Sequence, residues 1–169
     1  EADPEHAASM PRYGKANGHE DSAPELVHLG QETKGTLDSY GIKNPKDANF
    51  ARNCLLARRL IERGVRFVQL YNEVWDQHGN LTAGVKQNAL DTDQAIAGLI
   101  KDLKARGLLD ETLIVWAGEF GRTPHSARRD GRDHHPEGFT VWLAGGGAKG
   151  GTIKGPTDDI GMHAGPNQR

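Results

Sequence analysis

The order of apolar patterns after residue 48 constrains the fold more than any other feature of this sequence. A stretch with helical spacing, which includes Phe50, Cys54 and Ile61, comes first, and Gly64 ends it. Strand-like runs then alternate with one long helical pattern, as follows: strand 65–70, helix 86–106, strand 112–117 and strand 139–144. Such alternation is typical of a largely parallel sheet covered by helices, so the sequence predicts an α/β fold.

Residues 1–46 have a different character from the rest of the chain. They are polar, contain several prolines and show little periodicity, although residues 32–40 could form a short helix. We interpret them as a polar extended arm or a remnant of an N-terminal part, and residues 47–169 as a partial α/β domain. Because the sequence opens on Glu1 and stops without a clear closing element, we expect a fragment of a longer protein.

Composition excludes some classes of partner. The net charge of -2 gives no overall field that would attract nucleic acid or an anionic membrane, and no apolar run is long enough to span a bilayer. Arg128, Arg129 and Arg132 are a local exception that could attract an anionic substrate or form a solvated loop. The single cysteine, Cys54, excludes an internal disulfide, and its apolar helical surroundings predict a buried structural thiol.

Two groups of potential metal ligands stand beside strand-like runs. Asp76 and His78 follow residues 65–70, and the consecutive residues Asp133, His134 and His135 precede residues 139–144. Carboxylate oxygen and imidazole nitrogen together suit Zn²⁺ and related divalent ions. Adjacent side chains usually diverge, so we expect one or two of the three consecutive residues to bind. The alternatives are a capping Asp76 with a surface His78, and a pH-sensitive polar loop at residues 133–135.

A third polar group follows the strand-like run 112–117. Glu119 stands between glycines in residues 118–124, where the backbone could approach a ligand closely. A carboxylate directly after a buried strand is costly unless it is paired or bound to a metal. We therefore expect Glu119 either to bind a metal or to form a salt bridge with Arg122. Arg122 could also bind an anion.

Four segments, in the same order along the chain, resemble the domain of unknown function family 1501, which is sulfatase-like and sits in the alkaline phosphatase superfamily. They are residues 58–69, 75–80, 118–124 and 131–135, and the resemblance extends over residues 31–163. It implies a three-layer sandwich with a largely parallel sheet, alkaline phosphatase-like and here incomplete.

The resemblance also implies a set of ligands. Asp76 and His78 would be the first group, and Glu119 would take the place of an aspartate after the next strand. His135 would be the later histidine, with His134 as the fallback and Asp133 nearby. Phe120 replaces an expected histidine, which implies that one of two metal sites is altered or lost.

The function implied by the resemblance is metal-dependent hydrolysis of phosphate or sulfate esters. The cofactor would be a divalent ion (Zn, Ca, Mg or Mn), and Arg122 would hold the anionic group of a small ester or a sulfated or phosphorylated glycan. The nucleophile would lie in an N-terminal half that this sequence lacks, and the protein would be exported to the periplasm or the extracellular space. The alternative is a non-catalytic binding or structural protein that retains the fold, which the replacement by Phe120 favours.

Overall fold

The computed structural model of the chain describes residues 23–126 and 130–165, so residues 1–22 of the predicted arm, and Arg128 and Arg129, lie outside the described residues. The helices and strands, in chain order, are α1 (Ala23–Val27), a 3-10 turn (Leu29–Gln31), α2 (Lys34–Tyr40), α3 (Phe50–Glu62), α4 (Leu81–Ala105), a second 3-10 turn (Leu109–Glu111), β1 (Ile114–Trp116), β2 (Gly121–Arg122), β3 (His134–His135) and β4 (Trp142–Ala144).

Helix α3 confirms the first predicted helix. The side chain of Asn49 accepts a hydrogen bond from the backbone N–H of Arg52, which caps the helix start, and Gly64 follows its end at a φ of 79°. Cys54 is buried in the core, as the sequence predicts, and burial raises the pKa of its thiol to about 12. The thiol is therefore protonated and unreactive near neutral pH.

The three longer helices hold the main apolar core. Helix α4 confirms the long predicted helix but begins earlier, at Leu81, and it packs against α2 and α3. The core side chains are Leu29, Tyr40, Ile42, Ala51, Cys54, Leu55 and Ala95. Burial of this apolar surface is the main stabilising contribution to the helical part.

The expected three-layer sandwich with a largely parallel sheet is wrong. The described residues instead form a mostly helical structure with two short antiparallel pairs, β1 with β4 and β2 with β3. Residues 65–70 form no strand, and Phe67 within them is 79% exposed.

The prediction of a parallel sheet failed for two physical reasons: the connections between the strands are of the wrong kind, and residues 65–70 have no neighbouring strand to pair with among the strands that the structure describes. Parallel neighbours need a crossover of a dozen or more residues, usually a helix. In the described residues between β1 and β4 there is no helix, and the chain returns antiparallel, pairing Val115 with Leu143. Residues 65–70 carry the right side chains for a strand, but a strand also needs a neighbour to accept its backbone hydrogen bonds.

The β1–β4 pair leaves large apolar side chains in solvent, among them Val115, Trp116, Trp142 and Leu143.

No helix among the described residues is long and apolar enough to cross a membrane.

Gly98 lets α4 approach α2 closely. A Cβ at this position would lie 2.7 Å from the carbonyl oxygen of Ser39 and 3.0 Å from the Cα of Tyr40, and backbone atoms cannot rotate away. We expect Gly98→Ala to lower the free energy of unfolding by about 1–3 kcal/mol, because the helices must separate. Urea denaturation followed by circular dichroism measures this. The matched control is Gly35→Ala in α2, where the nearest atom to an added Cβ is 3.8 Å away; an equal effect of the two changes would contradict the close approach.

Candidate metal centre

Two loops that are distant in sequence are bound together by backbone hydrogen bonds. The backbone N–H of Arg132 donates to the carbonyl of Gln77 at 3.0 Å, and that of Leu81 donates to the carbonyl of Asp130 at 3.0 Å. The carboxylate of Asp130 also accepts from the backbone N–H of Asn80, which has a left-handed φ of 51° at the start of α4. These bonds fix the loop of Asp76 and His78 against residues 130–135.

The β2–β3 pair decides which of the two adjacent histidines faces this loop. Arg122 pairs with His134, and Gly121 pairs with His135. Successive strand side chains point to opposite faces, so the two imidazoles diverge. His134 is exposed on the side of Asp76, whereas His135 is buried on the other side.

Three side chains converge at one point, which we call the Asp–His–His cluster (Asp76, His78 and His134). His134 Nε2 lies 2.8 Å from Asp76 Oδ1, and His78 Nε2 lies 3.1 Å from the same oxygen. The two Nε2 atoms are 3.1 Å apart. All three groups are of the kind that binds a divalent ion, and one ligand atom from each can be chosen within 4.8 Å of the others.

The separations in the cluster fit a small divalent ion. Zinc binds nitrogen and oxygen ligands at about 2.0–2.2 Å, so two ligands of a tetrahedral site stand about 3.3–3.5 Å apart. The observed separations of 2.8–3.1 Å require only a small outward movement of the side chains. The two imidazoles and one carboxylate also leave a coordination position open, as catalytic sites do.

Asp76 is the electrostatic centre of the cluster. The hydrogen bond with His134, followed by the interaction with Arg122, lowers the pKa of this carboxyl group to about 2. A lowered pKa in the folded state gives stability that is present above the unfolded value and is lost as the pH falls through about 2. The carboxylate therefore remains charged at every pH at which a metal would be tested.

Arg122 also contacts Asp76. Its Nη1 lies 2.6 Å from Asp76 Oδ1, a distance at which a guanidinium and a carboxylate form an ion pair. A guanidinium carries several N–H groups, so Arg122 could also bind a negatively charged oxygen in the open position.

The other proposed ligands lie outside the cluster. Asp133 is near it, with its Oδ1 3.6 Å from His78 Nδ1. His135 Nε2 donates to the carbonyl of Met162 on the opposite face. Glu119 is exposed, and within residues 23–126 and 130–165 no hydrogen bond or ion pair joins it to the cluster or to Arg122.

Sequence reasoning missed two features near these loops. The ring of Phe120 packs on that of His134 with centroids 4.3 Å apart, although the sequence suggested only a lost ligand. His163 lies between two carboxylates, 2.9 Å from Glu137 and 3.0 Å from Asp158, although it stands alone in the sequence. The hydrogen bond with His163 lowers the pKa of Asp158. The sequence offered one signal for this contact, namely that His163 follows Asp158 by five residues.

Two surface grooves of the described structure lie away from the cluster. One groove lies between α3 and residues 68–71, and another lies between the end of α4 and the glycine-rich turn at residues 145–147. The cluster side chains are themselves 48–59% exposed. An ion bound there would be open to solvent.

Comparisons with known proteins identify a family. No curated protein and no solved structure matches this chain. The model of a family described as "Protein of unknown function (DUF1501)" matches residues 1–168. Since this match covers nearly the whole sequence, the chain belongs to the DUF1501 family of proteins of unknown function.

Proposed function

We propose that the Asp–His–His cluster binds a divalent metal ion and that this centre serves the hydrolysis of phosphate or sulfate esters. The observation that carries the proposal is the convergence of His78 Nε2 and His134 Nε2 on Asp76 Oδ1, at 3.1 and 2.8 Å. Two nitrogen ligands and one oxygen ligand favour Zn²⁺ over Mn²⁺, Ca²⁺ and Mg²⁺, which are better suited to oxygen ligands.

Each residue has a distinct task in this proposal. A bound divalent ion would polarise the ester oxygen and offset the negative charge that develops during hydrolysis. Asp76, His78 and His134 would hold the ion, and Asp133 would orient His78 through its Nδ1, 3.6 Å away. Arg122, which is paired with Asp76 at the edge of the cluster, would also bind an oxygen of the anionic substrate. The substrate class is then a small anionic ester, or a sulfated or phosphorylated glycan, and the protein itself would be exported.

Calorimetric titration of the chain with Zn²⁺ and with Mn²⁺ at neutral pH tests the metal site. We expect one bound ion, and we expect Asp76→Asn and His134→Ala each to weaken binding by more than about 100-fold, because loss of mere supporting groups already costs 10–100-fold. The matched control is His163→Ala, which removes another exposed histidine that lies between carboxylates and should leave the affinity unchanged. No binding by the unaltered chain would remove the proposal.

The hydrolytic step needs its own test. Protein purified from its source, loaded with the tighter-binding ion, should cleave 4-nitrophenyl phosphate or 4-nitrophenyl sulfate, and Arg122→Ala should raise KM for the anionic ester. Metal binding without turnover of either ester would support a metal-binding or structural role. The openness of the cluster, with side chains 48–59% exposed, favours that second function.

A further inference from the structure

We propose that Phe120 is a positioning residue that holds the imidazole of His134 in its metal-binding orientation. The inference rests on the proposed metal site and adds a residue whose side chain can bind no metal. It also gives a role to the aromatic ring that stands beside the cluster.

The two histidines of the cluster are supported in different ways. His78 has a carboxylate near its second ring nitrogen: Asp133 Oδ1 lies 3.6 Å from His78 Nδ1, beyond hydrogen-bond distance but within reach of an ion pair. A metal-binding histidine usually has such a partner, which fixes the ring and its tautomer. His134 Nδ1 has neither a carboxylate nor a hydrogen-bond partner in the described part of the chain, and the polar contacts of this ring all involve Nε2.

An aromatic contact takes the place of that partner. The ring centroids of Phe120 and His134 are 4.3 Å apart and the planes are tilted by 37°, a separation at which the two rings are in contact. The guanidinium carbon of Arg122 lies 5.5 Å from the centroid of the Phe120 ring. Phe120 therefore contacts both a proposed ligand and the proposed anion-binding group.

This support is needed because the backbone alone does not fix the ring. The strand that carries His134 has only two residues, and the imidazole is 48% exposed, so its side-chain rotation is little restricted by burial. The contact with the Phe120 ring limits this rotation and keeps Nε2 directed at Asp76 and His78. Without it, ordering His134 would lower the free energy gained on metal binding.

The test is titration of the 169-residue chain with Zn²⁺ after substitution of Phe120. Phe120→Leu removes the flat ring but keeps apolar bulk, and we expect the affinity to fall by about 10-fold or more, as for other supporting groups. Phe120→Tyr keeps the ring and should retain the affinity within about twofold, whereas a role in apolar packing alone would let the leucine retain it as well. Phe67→Leu, at a ring that is 79% exposed, is the control.

The outcomes separate this inference from the proposed function. If the unaltered chain binds no Zn²⁺, the metal site itself fails. If the unaltered chain binds Zn²⁺ and Phe120→Leu binds it equally well, the metal site stands and the role of Phe120 is overturned. An equal loss in the leucine and tyrosine variants also overturns the role of the ring. Imidazole ¹⁵N shifts of His134 should change in Phe120→Leu before metal is added, and unchanged shifts would contradict the positioning role.

Discussion

Replacement of Arg58 by alanine should lower the free energy of unfolding by about 3–5 kcal/mol, the cost of breaking a buried charge network by removing one partner. The Arg58 side chain is only 3% exposed and bonds three carboxylates: Glu32 at 2.7 Å, Glu62 at 2.6 Å and Asp102 at 2.9 Å. These carboxylates lie before α2, at the end of α3 and on α4, so one guanidinium joins three parts of the helical core.

The energetics of the network explain the size of the expected loss. Burial alone would lower the pKa of Arg58, but hydrogen bonds with Glu62 and Glu32 outweigh burial and raise it, so the guanidinium stays charged. Tyr40 adds to the network, because its hydroxyl donates to Asp102 at 3.0 Å, and burial, followed by the charge of Asp102, raises the pKa of that hydroxyl. Without Arg58, carboxylates with little exposure would lack their main counter-ion.

Urea denaturation followed by circular dichroism measures the loss, and Arg106→Ala is the matched control. Arg106 contacts two of the same carboxylates, Glu62 at 2.5 Å and Asp102 at 2.7 Å, but its side chain is 37% exposed. A more exposed ion pair contributes about 0–1 kcal/mol, so the control should be much less destabilised. Equal losses in the two variants would show that burial of Arg58 is not what makes the network strong.

The helices could be predicted because their signals are local. Phe50, Cys54 and Ile61 recur on one face of α3, and Gly64 marks its end within the same stretch of sequence. The role of Arg58 could not be predicted in this way. Two of its partners lie 26 and 44 residues away, and on the sequence it is only a charged residue in an amphipathic helix.

The strands and the site were harder to predict, because each depends on pairing partners that are distant along the chain. Residues 65–70 have β-branched and aromatic residues but no ladder partner, so their strand propensity was not enough. Asp76 and His78 were singled out because their residue types and spacing suit a metal. The choice between His134 and His135 depended on the register of β3 against β2, since a shift by one residue exchanges the faces.

Gly131→Ala should disturb the Asp–His–His cluster although Gly131 carries no side chain. A Cβ at this position would lie 2.1 Å from the carbonyl oxygen of His78 and 2.7 Å from the backbone nitrogen of Gly79. Both neighbours are backbone atoms, so the loop of His78 and the loop of His134 must move apart. We expect the affinity for Zn²⁺ to fall by about 10–100-fold, as when a supporting group is lost, and the unfolding of the helical core to change little, because Gly131 lies outside that core.

Calorimetric titration with Zn²⁺, together with urea denaturation, checks both effects, and Gly150→Ala is the control because an added Cβ there meets nothing within 4 Å. If Gly131→Ala lowers stability but keeps the affinity, the ligands must recover their arrangement by side-chain rotation alone. If it lowers the affinity while the helical core unfolds as before, the close backbone contact is what brings His78 to His134. The second result is expected, because α2, α3 and α4 make up most of the core and Gly131 lies in a separate pair of loops.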